Sequence, residues 1–489
     1  MNRRQLLGAS LAASVSGATP RTNVLLITIS DLRPDLGCYG HGVVQSPHID
    51  ALAERGTVFT RAYCQFASAS QSRSSYLTGL RPDTTRIYDS QTHFRKHLPD
   101  VVTLPQCFKQ AGYVTTSFGR TYHNGLNDIP SWSIAAWFPP TPDGATDWNT
   151  PANADRQRRF WARLEARGWH NALLRRSRAE LGLSWESRDV ADDALPDGLT
   201  AKTAIQALRT LKDQPFFLSI GLQKPHLPLV VPKRYFDLYA KKKIEIPDYA
   251  PPPAKVPSIA LHSNQVLRNY KDIPEEGPIP EAKALELIRA YYAGISFADA
   301  QVGRILKALD RLGLRENTIV VLASDVGWQL GNHGLWHKHS NFEKATRNTL
   351  IVSSPGAKRR GVKSDSLVEL VDLYPTLGQL AGLNLPKDLE GRSFAPLLDD
   401  PSRKIKSAAF SQFPRNVEGV GTVMGYTIRT ERYRYTNWRA MDAAKTFRAA
   451  ELYDYLTDPL ETSNVVDHPD YAKTRRELHS KLNSGWRAA

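Results

Sequence analysis

The stretch from Ala67 to Arg81, Ala-Ser-Ala-Ser-Gln-Ser-Arg-Ser-Ser-Tyr-Leu-Thr-Gly-Leu-Arg, gathers hydroxyls and two guanidinium groups in one short segment. Ser68 and Ser70 are oxygen nucleophiles by type, but an unmodified serine attacks only when a general base takes its proton. Ala69, between them, offers no oxygen, no proton and no metal-binding atom. Two acids stand elsewhere in suggestive places, Asp31 after the apolar run Asn23–Ile29 and Asp325 after Thr318–Ala323. Ligands of open α/β sheets gather at the carboxyl ends of strands, so their distance in sequence is no obstacle to their meeting. The alternative is that each acid caps a following loop or helix through backbone N–H groups.

Seven blocks give the chain a likeness. They are Ser30 to Gly40, Ser46 to Asp50, Leu77 to Tyr88, Lys224-Pro225-His226, Ser324-Asp325 with Gly327-Trp328, Lys338 with Ser340-Asn341-Phe342, and Val368 to Leu377. On these the chain resembles the sulfatase family of the alkaline-phosphatase-like superfamily, and within it the iduronate-2-sulfatase branch. The family signature is C-x-P-S-R-x-x-x-L-T-G, whose Cys becomes a formylglycine with a hydrate that attacks sulfate. Ser72, Arg73, Leu77, Thr78 and Gly79 keep their places, while Ala69 stands at the nucleophile position and Gln71 at the Pro. No formylglycine is expected, because none can form from alanine.

The resemblance also implies a divalent cation, usually calcium, held by an Asp-Asp pair and by an Asp-His or Asp-Asn pair. Here the pairs read Ser30-Asp31 and Asp325-Val326, so a carboxylate has become a hydroxyl and another ligand has become aliphatic. Ligand charge and number tune calcium binding, so calcium is expected to be weak or absent. The anion-binding half is better kept. By resemblance Arg73 steadies the nucleophile and metal, and Lys338 and His226 contact sulfate oxygens or protonate the leaving group. His123 takes the place of a second active-site His, Arg120 stands where a Lys is usual, and Lys224 joins the substrate-binding cations. Arg for Lys keeps the charge and changes the geometry.

The elements that must position these residues read as an α/β fold. β-rich runs at Asn23–Ile29, 113–118, 215–220, Thr318–Ala323 and Leu350–Ser353 alternate with helical stretches. The clearest helix spans 281–314, where Ile288, Tyr291, Ile295, Ala298, Val302, Ile305 and Leu309 form one apolar stripe. This pattern predicts a doubly wound mixed sheet flanked by helices over residues 19–390. Residues 391–489 read as a smaller C-terminal α+β subdomain, with two short strands around Thr430-Glu431-Arg432 and a final helix from about Tyr471. Lys255 to Pro280 reads as a long surface loop.

Composition sets the outer limits. The 489 residues are 41% hydrophobic and 23% charged, an ordinary globular balance, with a formal charge of +15. Such an excess attracts polyanions. No zinc-finger, RNP or basic-zipper pattern points to nucleic acid. Cys38, Cys64 and Cys107 are too few for a disulfide framework, leaving room for one bridge. Residues 1–18 read as a twin-arginine leader built on Arg3-Arg4, which predicts a periplasmic or secreted bacterial protein without a membrane span. Arg156 to Arg178 reads as an amphipathic helix with a cationic face, either solvated or gripping a polyanion.

Ala69, Ser30 and Val326 all fall on the nucleophile and metal side of one site. The leading expectation is therefore a pseudoenzyme that binds a sulfated glycan or another anion. One alternative is a hydrolase using Ser70 or an activated water. The other is a non-catalytic polyanion-binding protein with a vestigial pocket.

Overall fold

The computed structural model describes residues 21–123, 125–139, 182–247 and 250–489. The twin-arginine leader and the Arg156 to Arg178 stretch lie outside the described residues.

Seven strands form the central sheet: β1 Asn23–Ile29, β2 Thr57–Phe59, β3 Val114–Gly119, β4 Phe216–Leu222, β5 Thr318–Ser324, β6 Leu350–Ser353 and β7 Val362–Ser364. Their order is β7-β2-β6-β5-β1-β4-β3. β1 lies parallel to both β4 and β5, with Val24 opposite Phe217 and Ile319. β6 is antiparallel to β2 and β5, which makes the sheet mixed. The expected runs fall on β1 and β3 to β6. β2 and β7 were not anticipated, because three residues are too few to show a periodicity.

Side chains alternate across each strand. In β1, Leu25, Ile27 and Ile29 enter one core while Val24 and Leu26 enter the other. In β5, Val320 and Leu322 face the first core and Ile319, Val321 and Ala323 the second. A sheet covered on both faces needs apolar residues at every position, which is why these runs are unbroken. The first core is closed by helices α2, Pro196–Leu211, and α3, Glu281–Arg311. In the second lies helix α1, Ala69–Thr78, all ten of whose residues are buried. α1 stops at Gly79, whose φ of 72° and close approach to Leu389 and Tyr374 exclude a Cβ.

The C-terminal part is a four-stranded antiparallel sheet, β8 Ala409–Val417, β9 Gly421–Arg429, β10 Tyr433–Ala440 and β11 Ala449–Asp454, packed with helix α4, Ala472–Ser484. The sequence indicated only β9 and β10. Pro414 hides β8, and the sheet tolerates it because β8 is an edge strand. Phe394, Leu397 and Leu398 still pack in the second central core, and the C-terminal sheet begins only at Ala409. The Lys255 to Pro280 stretch is not simply a surface loop: Leu267, Tyr270 and Ile273 are buried in the first core. Cys38, Cys64 and Cys107 are all free thiols, so the bridge left open by the sequence is not formed.

A buried ion cluster joins the two parts. Arg81 donates to both oxygens of Glu369 at 2.8 and 2.7 Å, and Lys406 donates to Glu369 at 2.6 Å. The Phe410 N–H, on β8, adds a further bond to Glu369 at 2.9 Å. Burial opposes ionisation of Glu369, yet Arg81 and Lys406 hold its carboxyl well below the ordinary carboxylate range. Removing one partner of a buried pair leaves the other charge uncompensated. Glu369→Gln should therefore cost about 3 kcal/mol in urea unfolding at pH 7. A depressed folded value places this stability above the unfolded carboxylate range, so the gap between the proteins should close only as acid reaches the folded value.

Candidate active site

The site forms where β1 and β5 end. Asp31 follows β1 in a left-handed backbone conformation, with φ 61°. That geometry is uncommon for a residue with a Cβ and needs support from its surroundings. The Asp31 N–H donates to Asp325 Oδ1 at 3.0 Å, and its carbonyl accepts from the Tyr291 hydroxyl at 2.6 Å. Tyr291 belongs to α3, so the apolar helix reaches the site through one hydroxyl. The Ser72 hydroxyl of α1 donates to the Asp325 carbonyl at 2.5 Å and fixes the end of β5 in turn.

Arg73 is 1% exposed and uses its whole fork. Nε and Nη2 lie 3.0 and 2.8 Å from Asp325 Oδ2, and Nη2 also donates to Ser30 Oγ at 2.7 Å. Nη1 donates to the carbonyls of Arg120 and Tyr122 at 2.7 and 3.0 Å. Lys338 Nζ meets Asp31 Oδ1 at 2.5 Å and stands 5.4 Å over the Trp328 ring. The neighbouring His339 N–H donates to the Ala67 carbonyl at 3.1 Å, tying the lysine's loop to the entry of α1. Ala69 is the first residue of that helix, buried, with a methyl group at the expected nucleophile position.

His226 Nδ1 bonds the Leu227 carbonyl at 2.5 Å, and Nε2 lies 3.8 Å from Asp31 Oδ2. Desolvation, then the charges of Lys338, Arg120 and Lys224, push the ring well below the ordinary imidazole range, so it is neutral at pH 7. A neutral ring donating through Nδ1 presents an acceptor at Nε2. Burial pushes the Asp31 carboxyl up to about 6, with Asp325 adding to the effect and Lys338 and Arg120 opposing it.

The other expected residues are placed as follows. Arg120, at the end of β3, acts electrostatically on both Asp31 and His226. His123 is half-buried, one residue beyond the Tyr122 carbonyl that Arg73 holds. Lys224 is 3% exposed and donates to the carbonyls of His226 and Pro228 at 3.1 and 2.7 Å, so its charge shapes the His226 turn. Val326 is fully buried in the second core. Tyr291, Ser72 and Trp328 were not singled out as site residues. Tyr291 carried a signal, since a tyrosine inside an apolar stripe needs a partner for its hydroxyl.

The donors bear directly on a cation. Both oxygens of Asp325, the Ser30 hydroxyl and Asp31 Oδ1 already accept bonds from protein groups. Among the described residues Asp31 Oδ2 is buried without a hydrogen-bond partner, and no three His, Cys, Asp or Glu side chains are grouped to hold a metal. Asp31 Oδ2 is thus the oxygen of the Asp31 and Asp325 carboxylates that no protein hydrogen bond occupies, against the 6–8 oxygens that calcium takes.

A family model described as Sulfatase matches residues 22–383, and one described as N-sulphoglucosamine sulphohydrolase, C-terminal, matches residues 331–487. The chain is 35% identical to the iduronate 2-sulfatase of Homo sapiens over 531 residues, covering 94% of each chain. It is 34% identical to that of Mus musculus over 525 residues, covering 93% of each. A solved structure of a protein in complex with its substrate D-glucosamine-2-N,6-O-disulfate superposes with a TM-score of 0.73 at 21% identity, covering 96% of this chain and 98% of that one.

Arg73 bonds two side chains and two carbonyls, so its loss strands groups on three segments. Arg73→Ala should cost about 3–5 kcal/mol in chemical denaturation, the range for breaking a buried ion pair. Arg73→Lys should recover only a small part, because an ammonium lacks the planar fork. Near-wild-type stability in both variants would show that the fork is not what holds these segments.

Proposed function

This chain belongs to the sulfatase family, and on that premise we propose that it is an iduronate-2-sulfatase-type protein that binds the sulfate group of a sulfated glycan without hydrolysing it. The observation that carries the reading is the Ala69 methyl at the head of α1, on the segment that also carries Arg73. Hydrolysis of a sulfate monoester forms a bond from a nucleophilic oxygen to sulfur and breaks the bond from sulfur to the alcohol oxygen. A methyl group supplies no such oxygen. The binding half of the chemistry is supported by the cations Lys338 and Arg120 beside Asp31. Hydrogen bonds between cations and an oxyanion are charge-assisted and strong.

A second reading, hydrolysis by Ser70, has one observation for it and one against. The Ser70 hydroxyl is buried close to Ala69 in α1, but it has no hydrogen-bond partner among the described residues, and so no base in contact. The third reading depends on the Arg156 to Arg178 stretch outside the described residues. The proposal extends to place: the Arg3-Arg4 leader supports a periplasmic or secreted protein. Among the described residues, no helix is long and apolar enough to cross a membrane.

The test is binding without turnover. Titration with a sulfated monosaccharide should give a Kd that rises about tenfold or more in Lys338→Ala, since a bond to a charged group is worth roughly 1.5–3 kcal/mol. Hydrolysis of 4-nitrocatechol sulfate should stay at background. Turnover that disappears in Ser70→Ala would replace this reading with the second.

The metal part of the proposal is that the site works without calcium, because Arg73 and Lys338 already neutralise its two carboxylates. Calcium or a chelator should leave thermal unfolding and ligand affinity unchanged. Ser30→Asp combined with Val326→His should gain a calcium response, as it restores a carboxylate and an imidazole. Tight calcium binding by the unaltered protein, read by titration calorimetry, would overturn this.

A further inference from the structure

The pole of the sheet opposite the site carries a second concentration of positive charge. α3 is followed by a short connection and then by β5, whose carboxyl end holds Asp325, so the last turns of α3 lie beside the amino end of that strand. Seven strand residues span roughly 23 Å. A groove of about 340 Å³ runs there between α2 and α3. Arg209 of α2 and Arg304, Lys307 and Arg311 of α3 line it, over a floor that includes Ile205 and Leu312. No acidic side chain among the described residues lines it.

The four cations are not equivalent. Arg304 is held by Asp193 at 2.8 Å and by the Gln301 side-chain oxygen at 2.7 Å. Arg209, Lys307 and Arg311 are exposed and make no hydrogen bond or ion pair among the described residues. Arg209 and Arg311 stand in the last turns of their helices, where the carbonyl ends favour a cation. That effect accounts for two of them singly. It does not account for Lys307, or for a concave surface on which, among the described residues, only Arg304 is offset by a carboxylate.

The shape of the array narrows the ligand. Residues 304, 307 and 311 follow one face of α3 and rise about 10 Å along its axis at ~1.5 Å per residue. A compact anion meets one or two of these charges, whereas a linear polymer with repeated anionic groups meets all of them. A groove also admits a chain where a flat membrane surface does not enter. We propose that the groove between α2 and α3 is a docking surface for a sulfated polysaccharide chain, separate from the pocket around Arg73 and Lys338. The charge array by itself favours a linear polyanion; the choice of a sulfated glycan rests on the proposed reading of the pocket.

The experiment uses the full chain with three probes: heparin, a sulfated monosaccharide and duplex DNA of matched charge. The triple variant Arg209→Glu, Lys307→Glu and Arg311→Glu alters exposed side chains that have no hydrogen bond or ion pair among the described residues, and thermal unfolding should confirm an unchanged fold. Its heparin affinity at 0.15 M salt should fall about tenfold or more, with a weaker salt dependence, because fewer counterions are exchanged. Its affinity for the monosaccharide should not change. Lys338→Ala should show the converse, which separates failure of the groove from failure of the pocket. Unchanged heparin affinity in the triple variant overturns the proposal. So does duplex DNA that binds as tightly as heparin and is lost equally in the variant, since the groove would then not be a surface for sulfated glycans in particular. If the triple variant misfolds, the single variant Lys307→Glu, read with the same probes, decides by whether heparin alone is weakened.

Discussion

The buried guanidinium of Arg73 is the contact on which the site depends. It joins β1 through Ser30, β5 through Asp325 and the segment after β3 through two carbonyls, all from the first turns of α1. A planar fork with five donors can satisfy so many acceptors at once; a point charge cannot. Burial raises the stakes, because the Ser30 hydroxyl and the Asp325 carboxylate that Arg73 serves are cut off from water and would lose solvation without a replacement. The positions of Asp31, Asp325 and Lys338 follow from this fixed corner.

The substitutions at Ser30, Ala69 and Val326 fit that corner without leaving a local defect. Ser30 accepts one bond from Arg73, Val326 packs into an apolar core and Ala69 begins a helix whose residues are all buried. Each of the three side chains is satisfied by its own surroundings. The carboxylates that remain are balanced by Lys338 and Arg73. The cations are thus part of the architecture.

Much of the frame was legible before any contact was known. β1 and β6 were readable to the residue, and β3, β4 and β5 to within two, because a strand covered on both faces must be continuously apolar. The short strands β2 and β7 carried no comparable pattern, and Pro414 disguised β8. Lys255 to Pro280 misled for a related reason. Its proline-rich, polar texture is that of a surface loop, while three spaced apolar residues anchor it in the core.

Sequence by itself determined which side-chain atoms positions 69 and 326 can offer. An alanine at position 69 has no oxygen in any conformation, and a valine at 326 has no ligand atom. It also determined the family frame, since many spaced blocks agree along the chain. Tertiary structure decided what the remaining groups face. Lys224 and Lys338 are the same residue type in comparable motifs, yet one ammonium is spent on backbone carbonyls and the other meets Asp31. The contribution of Tyr291 from an apolar helix, the neutral state of His226 and the gathering of exposed cations between α2 and α3 are likewise properties of distance and burial. A linear string of residue types does not contain them, because electrostatic and hydrogen-bonding partners are set by where the chain returns to itself.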